Sequence, residues 1–166
     1  TGTVTDSWDA SLTQDGSIMV YVEGTVLTIA GNGSGGIKAN EDASWMFSDV
    51  NTTDFFKIAT EINGLELIDM SDVIYANRIF DRCQAVTSLN VGGWNLSKAQ
   101  TIDTIFQYCQ SMPTVNVSNW DLSSCTDIVK FPLILFPFSV EFPERIIPTL
   151  STSVAKTKDL WFLCFS

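Results

Sequence analysis

The chain contains no histidine. That absence removes Ser-His and Cys-His nucleophile pairs and His-ligated zinc from the available chemistry. Basic residues are scarce: nine Lys and Arg stand against nineteen Asp and Glu, a formal net charge of −10. A surface of that sign repels a phosphate backbone, so nucleic acid is not an expected partner, and an anionic membrane surface is disfavoured likewise. No apolar run approaches the roughly 20 residues of a membrane helix, so membrane insertion is not expected. The four cysteines, Cys83, Cys109, Cys125 and Cys164, have no C-x-x-C spacing and read neither as a zinc site nor as a redox pair. The chain starts at Thr1 without Met, a basic segment or an apolar leader, and is expected to be a mature or cropped product. What is present is core material. Apolar residues make up 45% of 166 residues, enough for about one packed domain.

Self-comparison carries the most information. At a shift of 26 residues Phe80 falls on Phe106, Cys83 on Cys109, Gln84 on Gln110, Asn90 on Asn116 and Val91 on Val117. Trp94 falls on Trp120, Leu96 on Leu122, Ser97 on Ser123 and Ile102 on Ile128. One step earlier the match is weaker but in register, with Leu65 on Val91, Met70 on Leu96 and Ser71 on Ser97.

Each unit divides in two. Leu89-Asn90-Val91 and Val115-Asn116-Val117 alternate with period two and read as short strands. Ser71, Ser97 and Ser123 are expected helix N-caps, and Ser97 has Gln100 three residues on, a capping-box pattern. Apolar residues follow at helical spacing: Val73, Ala76, Ile79, Phe80, Cys83, then Ala99, Ile102, Ile105, Phe106, Cys109. The expected fold is therefore α/β: a short leucine-rich-repeat-like solenoid of strand-turn-helix coils with an N-terminal β-hairpin cap. One coil cannot bury its own apolar edge, so coils must stack. Cys83 and Cys109 are then expected as small buried hydrophobes facing the core. Trp94 and Trp120 either close the coil as packing residues or form an exposed aromatic stripe for a ligand.

The stretch Phe80-x-x-Cys83 followed by Leu89-Asn90-Val91-x-x-Trp94-Asn95-Leu96-Ser97 resembles the BspA-like family of bacterial surface repeats. So does the stretch from Phe106-x-x-Cys109 to Trp120-Asp121-Leu122-Ser123. Trp45-Met46-Phe47 looks like an earlier instance of the family's Met-Phe element, with an insertion near Asn51 to Lys57 before the next unit. The resemblance covers roughly residues 45–131 and implies extracellular display and binding. Similar repeats occur in phage and prophage tail-associated proteins. The family supplies no catalytic residues, and Asn90, Asn95 and Asn116 stand where its repeat carries Asp.

The flanks differ. In residues 1–44, Ser17-Ile18-Met19-Val20-Tyr21-Val22 and Thr25-Val26-Leu27-Thr28-Ile29, joined by Glu23-Gly24, form a hairpin signal, with Trp8 and Leu12 expected to pack on it as a cap. Gly31-Asn32-Gly33-Ser34-Gly35-Gly36 matches G-x-G-x-x-G in form, but Ile37-Lys38-Ala39-Asn40 does not start a helix, so a loop is expected. Glu41, Asp42, Glu61 and Glu66 fit no calcium loop and read as solvated charge. Residues 132–166 leave the pattern: Pro132 stands where Phe106 stands one unit earlier, and four of the five Pro and six of the eleven Phe lie in residues 131–166. This segment is a C-terminal cap, the start of another domain or a stretch of different origin. The cap is the working choice.

The expected function is a non-enzymatic binding or adhesion module, extracellular or on a cell surface, with a protein or glycan partner and no cofactor or metal. The candidate ligand-binding residues are Asn90, Trp94, Asn116 and Trp120. The alternative is a structural or receptor-binding component of a phage tail or head fibre, located in a virion and forming a homo-oligomer. An enzyme would have to work by carboxylates alone, and the repeat provides no paired row of them.

Overall fold

The computed structural model describes residues 4–10, 15–33, 36–48 and 55–126, and the backbone of 139–141. Its elements are β1 (Asp6–Asp9), β2 (Ile18–Glu23), β3 (Val26–Gly31), β4 (Ile37–Lys38), the single turn α1 (Phe55–Ile58), β5 (Glu61–Asn63), β6 (Ile68–Asp69), β7 (Thr114–Asn116) and β8 (Ser139–Glu141). A short 3-10 turn spans Leu65–Leu67.

Strands β2 and β3 pair antiparallel, and the turn between them passes through Gly24 at φ 61. Alternation decides their faces: Val20, Val22, Leu27 and Ile29 are buried while the residues between them are not. Strand β1 adds to the outer edge of β2, where Trp8 stays 44% exposed instead of packing inward. Leu12 lies outside the described residues, as do Ser34 and Gly35 of the glycine-rich loop. Strand β5 joins β3 in parallel, so the hairpin is continuous with the chain entering the repeats. Gly64 makes that junction possible. It sits at φ 86, and a Cβ there would lie 2.2 Å from the carbonyl oxygen of Ile29.

Beyond the hairpin, successive units lie edge to edge. The N–H groups of Ala43, Trp45 and Phe47 donate to the carbonyls of Tyr75, Asn77 and Ile79. Those of Ala76, Arg78, Phe80 and Arg82 donate to Thr101, Asp103, Ile105 and Gln107 one unit further on. Return bonds run from Ile74 to Glu41, from Gln100 to Ile74 and from Thr126 to Gln100. Bridges Asp42–Tyr75 and Tyr75–Thr101 are parallel, as is the pairing of β4 with β6. The ladder thus begins before residue 45, at Ile37.

The helices expected after Ser71 and Ser97 are not formed: residues 71–83 and 97–109 run through turns and parallel bridges. The capping serines take the opposite role. Ser71, Ser97 and Ser123 donate their backbone N–H to the side-chain oxygens of Asp69, Asn95 and Asp121, at 2.9, 3.1 and 3.0 Å. These are Asx turns, in which the preceding acid or amide bonds the backbone two residues on. The apolar spacing is also satisfied without a helix. Val73, Ala76, Ile79, Phe80 and Cys83 are all 0% exposed because extended segments flank a tight turn, in which Asp81 N–H bonds the Arg78 carbonyl. β-Branched Ile74, Ile79, Thr101, Ile102, Thr104 and Ile105 favour that extended choice. Left-handed backbone at Arg78, Arg82, Thr104 and Tyr108 is incompatible with a continuous right-handed helix. Of the expected strands, β7 covers Val115 and Asn116, whereas residues 89–91 form no strand.

The core is built of columns, one residue per unit. Phe47, Phe80 and Phe106 stack at 5.4 and 5.7 Å between centroids, inclined by 12° and 7°. Trp94 and Trp120 stack at 6.1 Å and lean on Phe80 and Phe106. Each such pair contributes about 0.5–1.5 kcal/mol beyond area burial. Thiols form a further set of rungs: Cys83, Cys109 and Cys125 donate to the carbonyls of Phe47, Phe80 and Ala99 in the preceding unit, at 3.1, 3.2 and 3.0 Å. All three are free cysteines, and Cys164 lies outside the described residues. Of the expected insertion, residues 51–54 lie outside the described residues and α1 occupies its end. Of residues 132–166 only β8 is described, pairing in parallel with β7.

Candidate binding surface

The structure separates the four residues singled out from sequence. Trp94 and Trp120 are both 2% exposed. Their indole N–H groups donate to the carbonyls of Leu65 and Val91, each at 2.8 Å, one unit back. Burial with a satisfied polar tip makes them packing residues; they offer no aromatic stripe to solvent. Asn90 and Asn116 are exposed and occupy equivalent positions on one edge. Both are engaged with neighbours. The Asn90 amide donates to Glu66 at 3.3 Å, and the Asn116 side-chain oxygen accepts from the N–H and hydroxyl of Ser118 at 2.9 and 2.7 Å.

The outer face carries other regular contacts. Asp72 lies between Lys38 and Lys98, with Lys98 Nζ at 2.6 Å, and the two ammonium groups hold its carboxyl down at about 2. Asp42 and Asp69 are lowered by hydrogen bonds from Ser44 and Ser71. Asp42 and Asp69 are exposed and Asp72 is partly so, and the contacts fix side-chain direction more than they stabilise the fold.

Sequence reasoning passed over the corner at residues 78–82. Trp45, Arg78 and Thr104 are equivalent in successive units and all adopt left-handed backbone, at φ 67, 56 and 48. Arg82 and Tyr108 are a second equivalent pair, at φ 66 and 62. The guanidinium of Arg78 lies 4.8 Å from the Trp45 ring centroid, and that of Arg82 lies 6.0 Å from the Tyr108 ring. Trp45, Tyr75 and Tyr108 are 37%, 44% and 39% exposed. The residue types differ from unit to unit, which is why alignment of the repeats did not mark them.

Beneath this corner Asp81 is buried. One carboxylate oxygen has no partner and the other lies 3.7 Å from Arg82 Nε. Burial pushes its carboxyl up, against the pull of Arg82 and Arg78. Burial likewise pushes the thiols of Cys109 and Cys125 up to about 12 and about 11. Such thiols are protonated at neutral pH and poor nucleophiles. Among the described residues no three acidic or cysteine side chains are grouped to hold a metal ion, and no helix is long and apolar enough to cross a membrane.

No curated protein and no solved structure matches the chain. A family model described as "Mycoplasma protein of unknown function, DUF285" matches residues 33–132, and the chain belongs to that family.

Proposed function

We propose that this member of the family is a surface-displayed, non-enzymatic binding module. Its 26-residue units stack as a short solenoid that presents a protein- or glycan-binding face outside the cell. The observation that carries the reading is the inter-unit ladder from Ala43 to Gln107, which holds equivalent outward side chains in register on a rigid support. Support also comes from the likeness of residues 80–97 and 106–123 to BspA-like repeats, and from the acidic, histidine-free composition. The absence of imidazole and the protonated state of the buried thiols leave little for catalysis to use.

The test is a binding screen with purified, labelled chain against bacterial envelopes, isolated cell-wall glycans and mammalian matrix proteins. Saturable binding to matrix or host cells is the result expected of an adhesin. Binding confined to one bacterial envelope would move the reading to a phage-type receptor binder. A folded sample that binds none of them contradicts the proposal.

A further inference from the structure

All four members of the two guanidinium–ring pairs, Trp45, Arg78, Arg82 and Tyr108, stand at left-handed positions that glycine would occupy without strain. Bulky side chains are costly there, and outliers of this kind concentrate where a side chain is displayed for use. The two arginines flank one tight turn, closed by the Asp81 N–H on the Arg78 carbonyl. Arg78 reaches back to the preceding unit and Arg82 forward to the next. A guanidinium held over a ring by its cationic carbon still has N–H groups to offer, and two of them match a carboxylate in two-pronged fashion. Arg78 has no carboxylate partner within ion-pair distance among the described residues, and Arg82 has only the loose contact to Asp81. The nearby acids do not fill the fork. Asp42 is turned onto the N–H of Ser44, and the side-chain oxygens Asp81 Oδ1 and Asp103 Oδ1 are buried. Tyr75, bridged between Asp42 and Thr101 on the same ladder, adds a third exposed ring.

Resting on the binding-module reading, we infer that this corner is a site for a carboxylate-bearing saccharide. The rings of Trp45, Tyr75 and Tyr108 take the apolar faces of the sugar. The guanidinium edges of Arg78 and Arg82 grip its carboxylate. An acidic peptide would satisfy the guanidinium groups but would leave the rings without a flat apolar face to cover.

Calorimetric titration of the folded chain with trigalacturonate, its methyl ester, sialyllactose and a poly-glutamate peptide tests this. At least one of the two acidic saccharides binds, the methyl ester binds about tenfold or more weakly than the free acid, and Trp45→Ala and Arg78→Gln each weaken binding about tenfold or more. Arg78→Gly separates function from folding: it relieves the left-handed strain, so the melting temperature holds or rises while binding is lost. Binding of neither acidic saccharide, equal binding of the ester, preference for the peptide, or an Arg78→Gly chain that melts lower and binds as before would each overturn the inference. In the screen above, an Arg78→Gly chain that adheres as strongly as the parent overturns the site but leaves the binding-module reading intact. Failure of the parent chain to adhere overturns that reading itself.

Discussion

Two columns of the same ladder obey opposite rules. Inside, Phe47, Phe80 and Phe106 repeat one residue type at stacking distance. At the corner, Trp45, Arg78 and Thr104 repeat one backbone conformation with three different side chains, Trp45 exposed and Thr104 buried. The inner column must mesh with its neighbours above and below, so packing dictates side-chain identity. The corner column must only complete the turn, so the chemistry and the exposure of its side chains are left to vary. Regularity in such a chain reports folding; irregularity at a regular position is where specific recognition can be placed.

The sharpest way to break the comparison is to substitute the inner column. Trp94→Ala removes an indole stacked between Phe80 and Trp120 together with its hydrogen bond to the Leu65 carbonyl, which keeps the Ile68 N–H. A loss of roughly 3–5 kcal/mol in urea unfolding is expected, enough to unfold much of a marginal domain. A Trp120→Ala chain that stays fully stable yet stops binding would return these indoles to the surface role expected from sequence. Next comes Gly64→Ala, where a Cβ would meet the Ile29 carbonyl oxygen at 2.2 Å in left-handed backbone. About 2–4 kcal/mol is expected, read as a lower urea midpoint; an unchanged midpoint would mean that the hairpin does not approach the repeats as described.

Asp81 supplies a pH test of intermediate size. Its carboxyl titrates above the ordinary value because burial penalises the charge. The folded chain therefore binds that proton more tightly than the unfolded chain. Its contribution falls as pH rises from the unfolded carboxylate value through the raised folded one. Asp42, Asp69 and Asp72 act oppositely: they are lowered, so they stabilise above the unfolded value and lose that effect as pH falls. Asp81→Asn should remove the penalty at neutral pH, so the variant gains on the parent between acid and neutral pH. A difference curve that is flat across that window contradicts the buried placement of Asp81. The smallest effect belongs to Asp72→Ala: despite its two lysine partners the site is solvated, and no resolvable change in melting temperature is expected.

The sequence displays the register of the repeats because large, chemically distinctive residues recur at it: Cys83 with Cys109, Trp94 with Trp120. Local conformation is far less visible. A spacing of three and four residues between apolar positions is shared by a helix face and by extended segments broken at a tight turn. Val73, Ala76, Ile79 and Phe80 satisfy either reading. Ser71 and Ser97 look like caps by type, and only the structure reveals that Asp69 and Asn95 use their N–H groups first. The outer corner is hidden for a different reason. Positive φ at Arg78 or Tyr108 leaves no mark when no glycine stands there.

The parallel ladder between units is the central claim, and an NMR contact map reads it directly. Close approaches linking the Ala76 and Arg78 amides to backbone protons of residues 101–104, one unit away, are the expected result. Medium-range helical contacts running three and four residues apart through 97–109, with no approach between units, would contradict it.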